Sequence, residues 1–171
     1  MLMVSGFLLR WSLILDKWDQ AHLQTAKVYA ELSHARRMKV GCVIVRDNRI
    51  ISIGYNGMPS GWDNNCEYEI GAYELNKELK TKDEVLHAEA NAITKVAKST
   101  EQTEGAVLYS TCAPCIDCAK LIHQSGITRV VYGHKYKSQE GLTFLQKCGI
   151  LVETTDEPDP NNLPWQRSLY P

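Results

Sequence analysis

The chain has 171 residues, of which 44% are hydrophobic and 23% are charged. This composition is typical of one globular domain, and it excludes a disordered chain, a collagen and a disulfide-rich miniprotein. The 19 Lys and Arg residues and 20 Asp and Glu residues give a net charge of −1, without the basic excess of a protein that binds long nucleic acid through its phosphates.

The first fifteen residues are strongly apolar, but Arg10 and Ser12 interrupt them and they are too short to span a membrane. They also lack the basic start and small-residue cleavage site of a secretory signal. We interpret residues 1–15 as an N-terminal extension that packs on the domain or on a partner chain. Residues 16–155 are the predicted domain, and 156–171, with four of the six prolines, are an extended tail. Without an export signal, the six cysteines favour thiols or metal ligands, and we expect a cytoplasmic protein.

The spacing of apolar residues predicts alternating helices and strands along the domain. Helices are predicted at 16–34, 83–98, 115–124 and 138–147, and strands at 40–45, 50–53, 106–110, 128–132 and 150–153. Residues 54–66 are expected to be a loop, and 67–80 a short helix or an ordered loop. A turn signal between the first two strands predicts a β-hairpin. These elements together predict an α/β protein, a three-layer α/β/α sandwich with a mixed central sheet of about five strands.

Two short patterns contain residue types that bind metals. His87-Ala88-Glu89 lies inside the second predicted helix, and Cys115 and Cys118 open the third. A helix N-terminus favours the thiolate, which is the form of cysteine that binds metal. One His and two Cys leave one of the four tetrahedral positions of zinc open, as in a catalytic site. Glu89 would then be placed to exchange protons with water at that position.

The same residues also fit two other interpretations. Cys115 and Cys118 fit a redox Cys-x-x-Cys pair, which would leave His87 and Glu89 without a role. They also fit buried thiols beside a surface His-x-Glu. Cys66, in the polar loop, is a weaker candidate for a second metal site, because no convincing partners accompany it.

The pattern His-x-Glu followed by Pro-Cys-x-x-Cys resembles the signature of the zinc-dependent nucleobase deaminases. Within that superfamily the chain is similar to the deoxycytidylate (dCMP) deaminases of phages and bacteria. Four stretches carry the resemblance, residues 36–41, 54–61, 87–93 and 111–120. The segment Tyr-Asn-Gly-x-Pro-x-Gly within 54–61 is the part that points to dCMP. The resemblance implies a cytidine deaminase-like fold and hydrolysis of dCMP to dUMP and ammonia, which supplies dUMP for thymidylate synthesis.

The resemblance also implies the roles of the metal and catalytic residues. His87, Cys115 and Cys118 would hold one catalytic Zn²⁺, and Glu89 would be the general base and acid. Some phage members bind a second, structural zinc through additional Cys and His residues. Here His34 and Arg36 stand in the stretch where such a Cys would lie, so we expect one zinc per chain.

Four further residues are expected to bind the substrate. Arg37 matches a position that contacts the 5′-phosphate, and Asn56 matches one that contacts the sugar. The Ala88 N–H is expected to donate to the O2 carbonyl of the base, and Tyr136 to stack on the base or the sugar. From the residues alone, Arg37 also fits a solvated cation in a basic run, Asn56 a turn residue, and Tyr136 a core residue.

Deaminases of this kind are typically homohexamers that dCTP activates and dTTP inhibits, with Mg²⁺ on the bound triphosphate. The loop of Gly57, Met58, Pro59, Ser60 and Gly61 is the candidate effector site, because glycines let backbone N–H groups approach phosphates closely. A plain surface turn is the alternative. Neither long nucleic acid nor a membrane is an expected partner.

Two other functions are compatible with parts of the sequence. One is a deaminase of another nucleoside, nucleotide or free base, or of tRNA, although the net charge of −1 disfavours tRNA. The other is a non-catalytic zinc-binding module. Glu89 argues against such a module, because a structural zinc site needs no general base.

Overall fold

The computed structural model describes residues 15–71, 78–136 and 138–155. The predicted N-terminal extension, apart from its last residue, and the predicted tail lie outside them. The described residues form four helices and seven strands in the order α1 (Lys17–Ala30), β1 (Gly41–Arg46), β2 (Arg49–Tyr55), β3 (Glu67–Ile70), β4 (Glu78–Thr81), α2 (Ala88–Val96), β5 (Val107–Cys112), α3 (Ile116–Gln124), β6 (Arg129–His134), α4 (Glu140–Lys147) and β7 (Leu151–Thr154). Within these residues no helix combines the length and apolar character needed to cross a bilayer.

Five strands form the central sheet in the order β2-β1-β5-β6-β7. β1 runs antiparallel to β2 and to β5, whereas β5, β6 and β7 are parallel. The β1–β2 turn has positive φ at both Asp47 and Asn48, as the two-residue turn of a twisted hairpin requires. The mixed five-stranded sheet predicted from the sequence is therefore confirmed.

Helices cover both faces of this sheet. Along β1, Val43 and Val45 face α1, whereas Cys42 and Ile44 face α2 and α3, and all four are buried. Helix α4 contributes Leu145 to the same side as α2 and α3. The long apolar run predicted for β1 is therefore explained by burial on both faces, and the three-layer sandwich is confirmed.

The sheet brings several chain segments to one edge. Because β1 is antiparallel to β5, the start of β1 lies beside the end of β5, and the Gly41 N–H donates to the Thr111 hydroxyl at 3.1 Å. The end of β2 reaches the same edge, and Gly54 packs there against the first turn of α2. A Cβ at Gly54 would overlap the Ala88 carbonyl oxygen, so glycine permits this close approach. Ligands of open α/β sheets bind at such an edge.

Two predicted elements are wrong. The segment predicted as a helix or ordered loop at 67–80 contains a separate antiparallel hairpin, in which Glu67 pairs with Thr81. Its Glu and Lys residues have low β-propensity, which conceals the strands. The helix predicted at 83–98 begins only at Ala88, because Leu86 pairs with Gly57 in a β-bridge instead.

Candidate functional site

Two helix N-termini bring the predicted metal ligands together. His87 is the N-cap of α2 and Cys115 is the N-cap of α3, where its sulfur accepts the Cys118 N–H. The His87 Nδ1 lies 3.5 Å from the Cys115 Sγ and 3.4 Å from the Cys118 Sγ. The prediction that His87 lies inside a helix is wrong, because α2 begins at Ala88. As the N-cap residue, His87 precedes the first turn of α2, and its ring lies beside the two sulfurs at the start of α3.

The three donor atoms suit zinc. They lie within 4.8 Å of one another, and the N···S separations match the roughly 3.5 Å between ligands of a tetrahedral zinc with ordinary Zn–N and Zn–S bond lengths. Hydrogen bonds from Cys118 and His87 lower the pKa of the Cys115 thiol to about 4, which favours the thiolate that binds metal. His87, Cys115 and Cys118 therefore form a candidate catalytic metal centre with one position left for water.

Glu89 lies in the first turn of α2, next to the metal ligands. It is buried, with 4% of its surface exposed, and Ser110 Oγ is 3.5 Å from its Oε1. Burial raises the pKa of the Glu89 carboxyl, although a hydrogen bond from the backbone N–H of Glu89 itself partly offsets this. A raised pKa brings a carboxyl closer to the pH range in which it can both accept and return a proton.

The metal centre opens into a cavity of about 160 Å³. The cavity is lined by Glu89 and by all four predicted substrate residues, Arg37, Asn56, Ala88 and Tyr136. Glu89 is buried, whereas Arg37 is exposed, so the cavity runs from a buried acid to a surface cation. The structure thus brings together residues as far apart in the chain as Arg37 and Tyr136.

Comparison with known proteins identifies the family of this chain. The family model for the cytidine and deoxycytidylate deaminase zinc-binding region matches residues 16–134. The chain belongs to this family. The alignment with the deoxycytidylate deaminase of Enterobacteria phage T4 is 180 positions long and has 35% identity. It covers 84% of this chain and 93% of the phage protein. The human deoxycytidylate deaminase is 33% identical over 156 residues, which cover 80% of this chain and 84% of the human protein.

A solved structure also matches. The crystal structure of the dCMP deaminase from cyanophage S-TIM5, in complex with dCMP and dUMP, has a TM-score of 0.73 and 37% sequence identity. The match covers 83% of this chain and 99% of that chain. The resemblance to deoxycytidylate deaminases that the sequence predicts, and the cytidine deaminase-like fold, are confirmed.

In this deaminase family member, Asn56 is more than a turn residue. Its side-chain oxygen accepts the Val40 N–H at 2.8 Å, and its amide nitrogen donates to the Met38 carbonyl at 2.9 Å. Asn56 therefore binds the backbone segment that follows Arg37. An amide offers a second N–H and a second lone pair, so a sugar contact remains compatible with these bonds.

Glu67 is a residue of the cavity wall that sequence reasoning missed. It is 2% exposed, and its Oε1 accepts the backbone N–H groups of Arg36 and Arg37 at 3.0 and 3.2 Å. In the sequence it is one of many charged residues near a loop, and only its neighbour Cys66 hinted at burial. Cys66 packs with Ala35 and Val85, and it belongs to no metal cluster among the described residues.

The candidate effector loop follows Asn56 directly. The Gly57 N–H donates to the Leu86 carbonyl at 3.1 Å, and the Leu86 N–H donates back at 2.9 Å. The Gly57 N–H is therefore bonded within the chain. Gly61 has a φ of 89°, a conformation that favours glycine. The loop thus connects Asn56 on one side with Leu86, the residue before His87, on the other.

Proposed function

We propose that this chain catalyses the hydrolytic deamination of dCMP to dUMP and ammonia. The observation that carries the proposal is buried Glu89 beside a three-ligand metal centre, in a cavity that the exposed Arg37 also lines. The names of the T4 and human relatives, and the nucleotides bound to the cyanophage enzyme, support dCMP as the substrate.

His87, Cys115 and Cys118 are the residues that hold zinc in this proposal. When bound, zinc lowers the pKa of a water molecule from about 15.7 toward roughly 7. The N-terminal dipoles of α2 and α3 point their positive ends at this region, which favours the thiolate of Cys115 at the N-cap of α3. The three side chains supply the donor set of a catalytic zinc with one open position.

Glu89 moves the protons of the reaction. It takes one proton from the attacking water and delivers it to ring N3, while the water oxygen bonds to C4. It then takes the second water proton and passes it to the exocyclic amine as the C4–N bond breaks. The oxygen remains as the C4 carbonyl of dUMP, the amine leaves as ammonia, and Glu89 returns to its starting state.

The residues around the cavity orient the substrate. The base lies at the buried end, where the N–H of Ala88, at the first position of α2, donates to O2. Asn56 and Tyr136 border the sugar. The guanidinium of Arg37, at the exposed end, binds the 5′-phosphate through charge-assisted hydrogen bonds.

An ammonia-release assay tests the proposal. The zinc-loaded protein is assayed with dCMP, dCTP, deoxycytidine and cytosine in parallel, with Glu89→Gln as the control for contaminating activity. We expect the highest kcat/KM for dCMP and near-background rates for cytosine. A preference for cytosine or deoxycytidine would make the chain a deaminase of another substrate, and no release from any of the four would contradict the proposal.

Regulation by nucleoside triphosphates is a second part of the proposed function. Residues 57–61 are the proposed effector site, dCTP the activator and dTTP the inhibitor, with Mg²⁺ on the triphosphate. The Gly57–Leu86 bridge supports this, because a shift of the loop would reach both Asn56 and His87. Two triphosphates change activity in opposite directions only if they favour different conformations.

Saturation curves and light scattering test this second part. We expect sigmoidal dCMP kinetics that dCTP makes hyperbolic and dTTP suppresses, in a particle with the mass of a hexamer. Hyperbolic kinetics that neither triphosphate changes, in a monomeric particle, would contradict the regulation but not the deaminase activity.

A further inference from the structure

Arg37, which lines the cavity, and its chain neighbour Arg36 have different electrostatic surroundings. The Arg36 guanidinium contacts the Glu69 carboxylate at 2.9 Å and lies 3.7 Å from Glu67, so two acids offset its charge. The Arg37 guanidinium donates instead to the neutral Thr81 hydroxyl at 2.9 Å. This bond holds the Arg37 side chain in place, and within the described part of the chain no carboxylate pairs with its guanidinium, so its positive charge is available to an anion.

Glu67 holds the backbone of the same arginine. Its Oε1 accepts the N–H groups of Arg36 and Arg37, whereas its Oε2 is buried and has no hydrogen-bond partner among the described residues. A buried carboxylate with one unsatisfied oxygen destabilises the fold. The Arg36 Nε, 3.7 Å from this oxygen, offsets part of the cost through its positive charge, and the carboxylate lies at the cavity wall.

Glu67 and Thr81 are cross-strand partners in the β3–β4 hairpin. One member of the pair therefore holds the backbone of Arg37 and the other holds its guanidinium. Asn56, which directly follows β2, bonds to the backbone on both sides of residue 39. The segment that carries Arg37 is thus held by two separate elements.

We infer that the Glu67–Thr81 pair is the positioning element for Arg37 and sets the preference of the site for 5′-phosphorylated over unphosphorylated nucleosides. The inference rests on the proposed function. A long arginine side chain loses rotamer freedom when it binds an anion, and a side chain that is already held loses less. Neither Glu67 nor Thr81 needs to touch the phosphate for this effect.

The test compares KM and kcat for dCMP and deoxycytidine in Thr81→Val, Glu67→Gln and wild type. Thr81→Val keeps the shape of the side chain and removes the hydroxyl. We expect it to raise the KM for dCMP about five- to tenfold, since one hydrogen bond is lost, with kcat for dCMP and kcat/KM for deoxycytidine within twofold. Glu67→Gln keeps an acceptor oxygen but removes the negative charge, and it should also raise the KM for dCMP. Thr81→Ser keeps the hydroxyl and should have the wild-type KM.

The controls separate positioning from general damage. Glu69→Gln removes the acid that pairs with Arg36 on the same strand and should leave the KM for dCMP within twofold. In an Arg37→Ala background, Thr81→Val should have no further effect on KM. Zinc content and thermal unfolding show whether each variant folds.

Three results would overturn the inference. Equal losses of kcat/KM for dCMP and deoxycytidine would show that the Glu67–Thr81 pair is merely structural. An unchanged KM for dCMP in Thr81→Val would show that the pair does not position Arg37. If wild type does not prefer dCMP over deoxycytidine, the proposed function fails first and the inference fails with it. If wild type prefers dCMP over deoxycytidine and the variants have an unchanged KM, the inference fails and the proposed function stands.

Discussion

Asp19 and Arg129 lie 110 residues apart in the sequence and form a bidentate ion pair, in which both terminal guanidinium nitrogens contact the carboxylate at 2.7 Å. The Tyr109 hydroxyl also donates to Asp19 at 2.7 Å, and the Arg129 Nε contacts Glu153 at 2.6 Å. Asp19 is 4% exposed. This network connects α1 with three strands of the sheet, on the face opposite the metal centre.

Asp19→Asn should destabilise the fold without touching the site. The substitution leaves Arg129 with only part of its charge compensated, and breaking a buried pair is strongly destabilising. We expect the free energy of unfolding to fall by about 2–4 kcal/mol, below the fully buried range because Arg129 is partly exposed and keeps Glu153. Urea denaturation measures this. Glu31→Gln, which breaks the exposed pair with Lys39, should cost less than about 1 kcal/mol, and equal losses in both variants would contradict the assignment.

The same carboxylate predicts a loss of stability in acid. Burial raises the pKa of Asp19, but hydrogen bonds from Arg129 and Tyr109 outweigh it and hold the pKa below its ordinary value. A depressed folded-state pKa contributes stability that is present above the unfolded value, near 3.9, and is lost as the pH falls through the folded value. The stability difference between wild type and Asp19→Asn should therefore shrink below about pH 4. Urea titrations from pH 7 to pH 3 test this, and a constant difference would refute it.

One zinc per chain is the expected metal content. Elemental analysis of wild type should give about one equivalent, since three ligand atoms converge at one place. Cys118→Ala should retain almost none, because two protein ligands bind zinc poorly. Cys148→Ala is the matched control, since Cys148 is half-buried and outside the centre. Two zincs in wild type, or full occupancy in Cys118→Ala, would show that the assignment of ligands is wrong.

Glu89→Gln should separate zinc binding from catalysis. The variant removes no ligand, so zinc content and thermal stability should stay close to wild type. General acid–base groups contribute roughly 10²- to 10⁴-fold, and kcat for dCMP should fall by that factor. Glu84→Gln, an exposed acid shortly before α2, is the control and should keep full activity. More than about a tenth of the wild-type rate in Glu89→Gln would exclude the proposed role.

Arg37→Ala should affect the nucleotide far more than the nucleoside. A charge-assisted hydrogen bond to phosphate exists only with dCMP, so its KM should rise about 10- to 100-fold while turnover of deoxycytidine changes little. Lys39→Ala is the control, because it removes a cation from the same segment whose ammonium already pairs with Glu31. Steady-state kinetics of both variants test this. Similar effects on the two substrates would place Arg37 elsewhere.

Local patterns predicted the central sheet because its strands are continuous apolar runs. The apolar run that contains Val43 and Ile44 predicts a strand buried on both faces, and both residues are buried. The β3–β4 hairpin could not be predicted in this way. Its Glu67 is buried only because Arg36 and Arg37 bring their N–H groups to it from 30 or more residues away, and no local pattern encodes that contact.

The metal ligands were predictable from residue type and spacing, but their local structure was not. Val85 and Leu86 continue the apolar pattern of α2 toward its N-terminus, which favours a helix that begins earlier. The long-range bridge to Gly57 uses the Leu86 N–H and carbonyl and ends this extension. His87 consequently stands at the helix cap, where its ring can meet two sulfurs on α3.

The two helices that carry the zinc ligands are separated in the chain by β5, and β5 lies in the middle of the sheet between β1 and β6. The histidine and the two cysteines can therefore meet only when β5 is inserted in its correct register. An ion that binds this folded arrangement, and not the unfolded chain, adds its binding free energy to stability. Chelation should thus lower the unfolding midpoint of the whole domain, because metal binding requires β5 to be in its native position in the sheet.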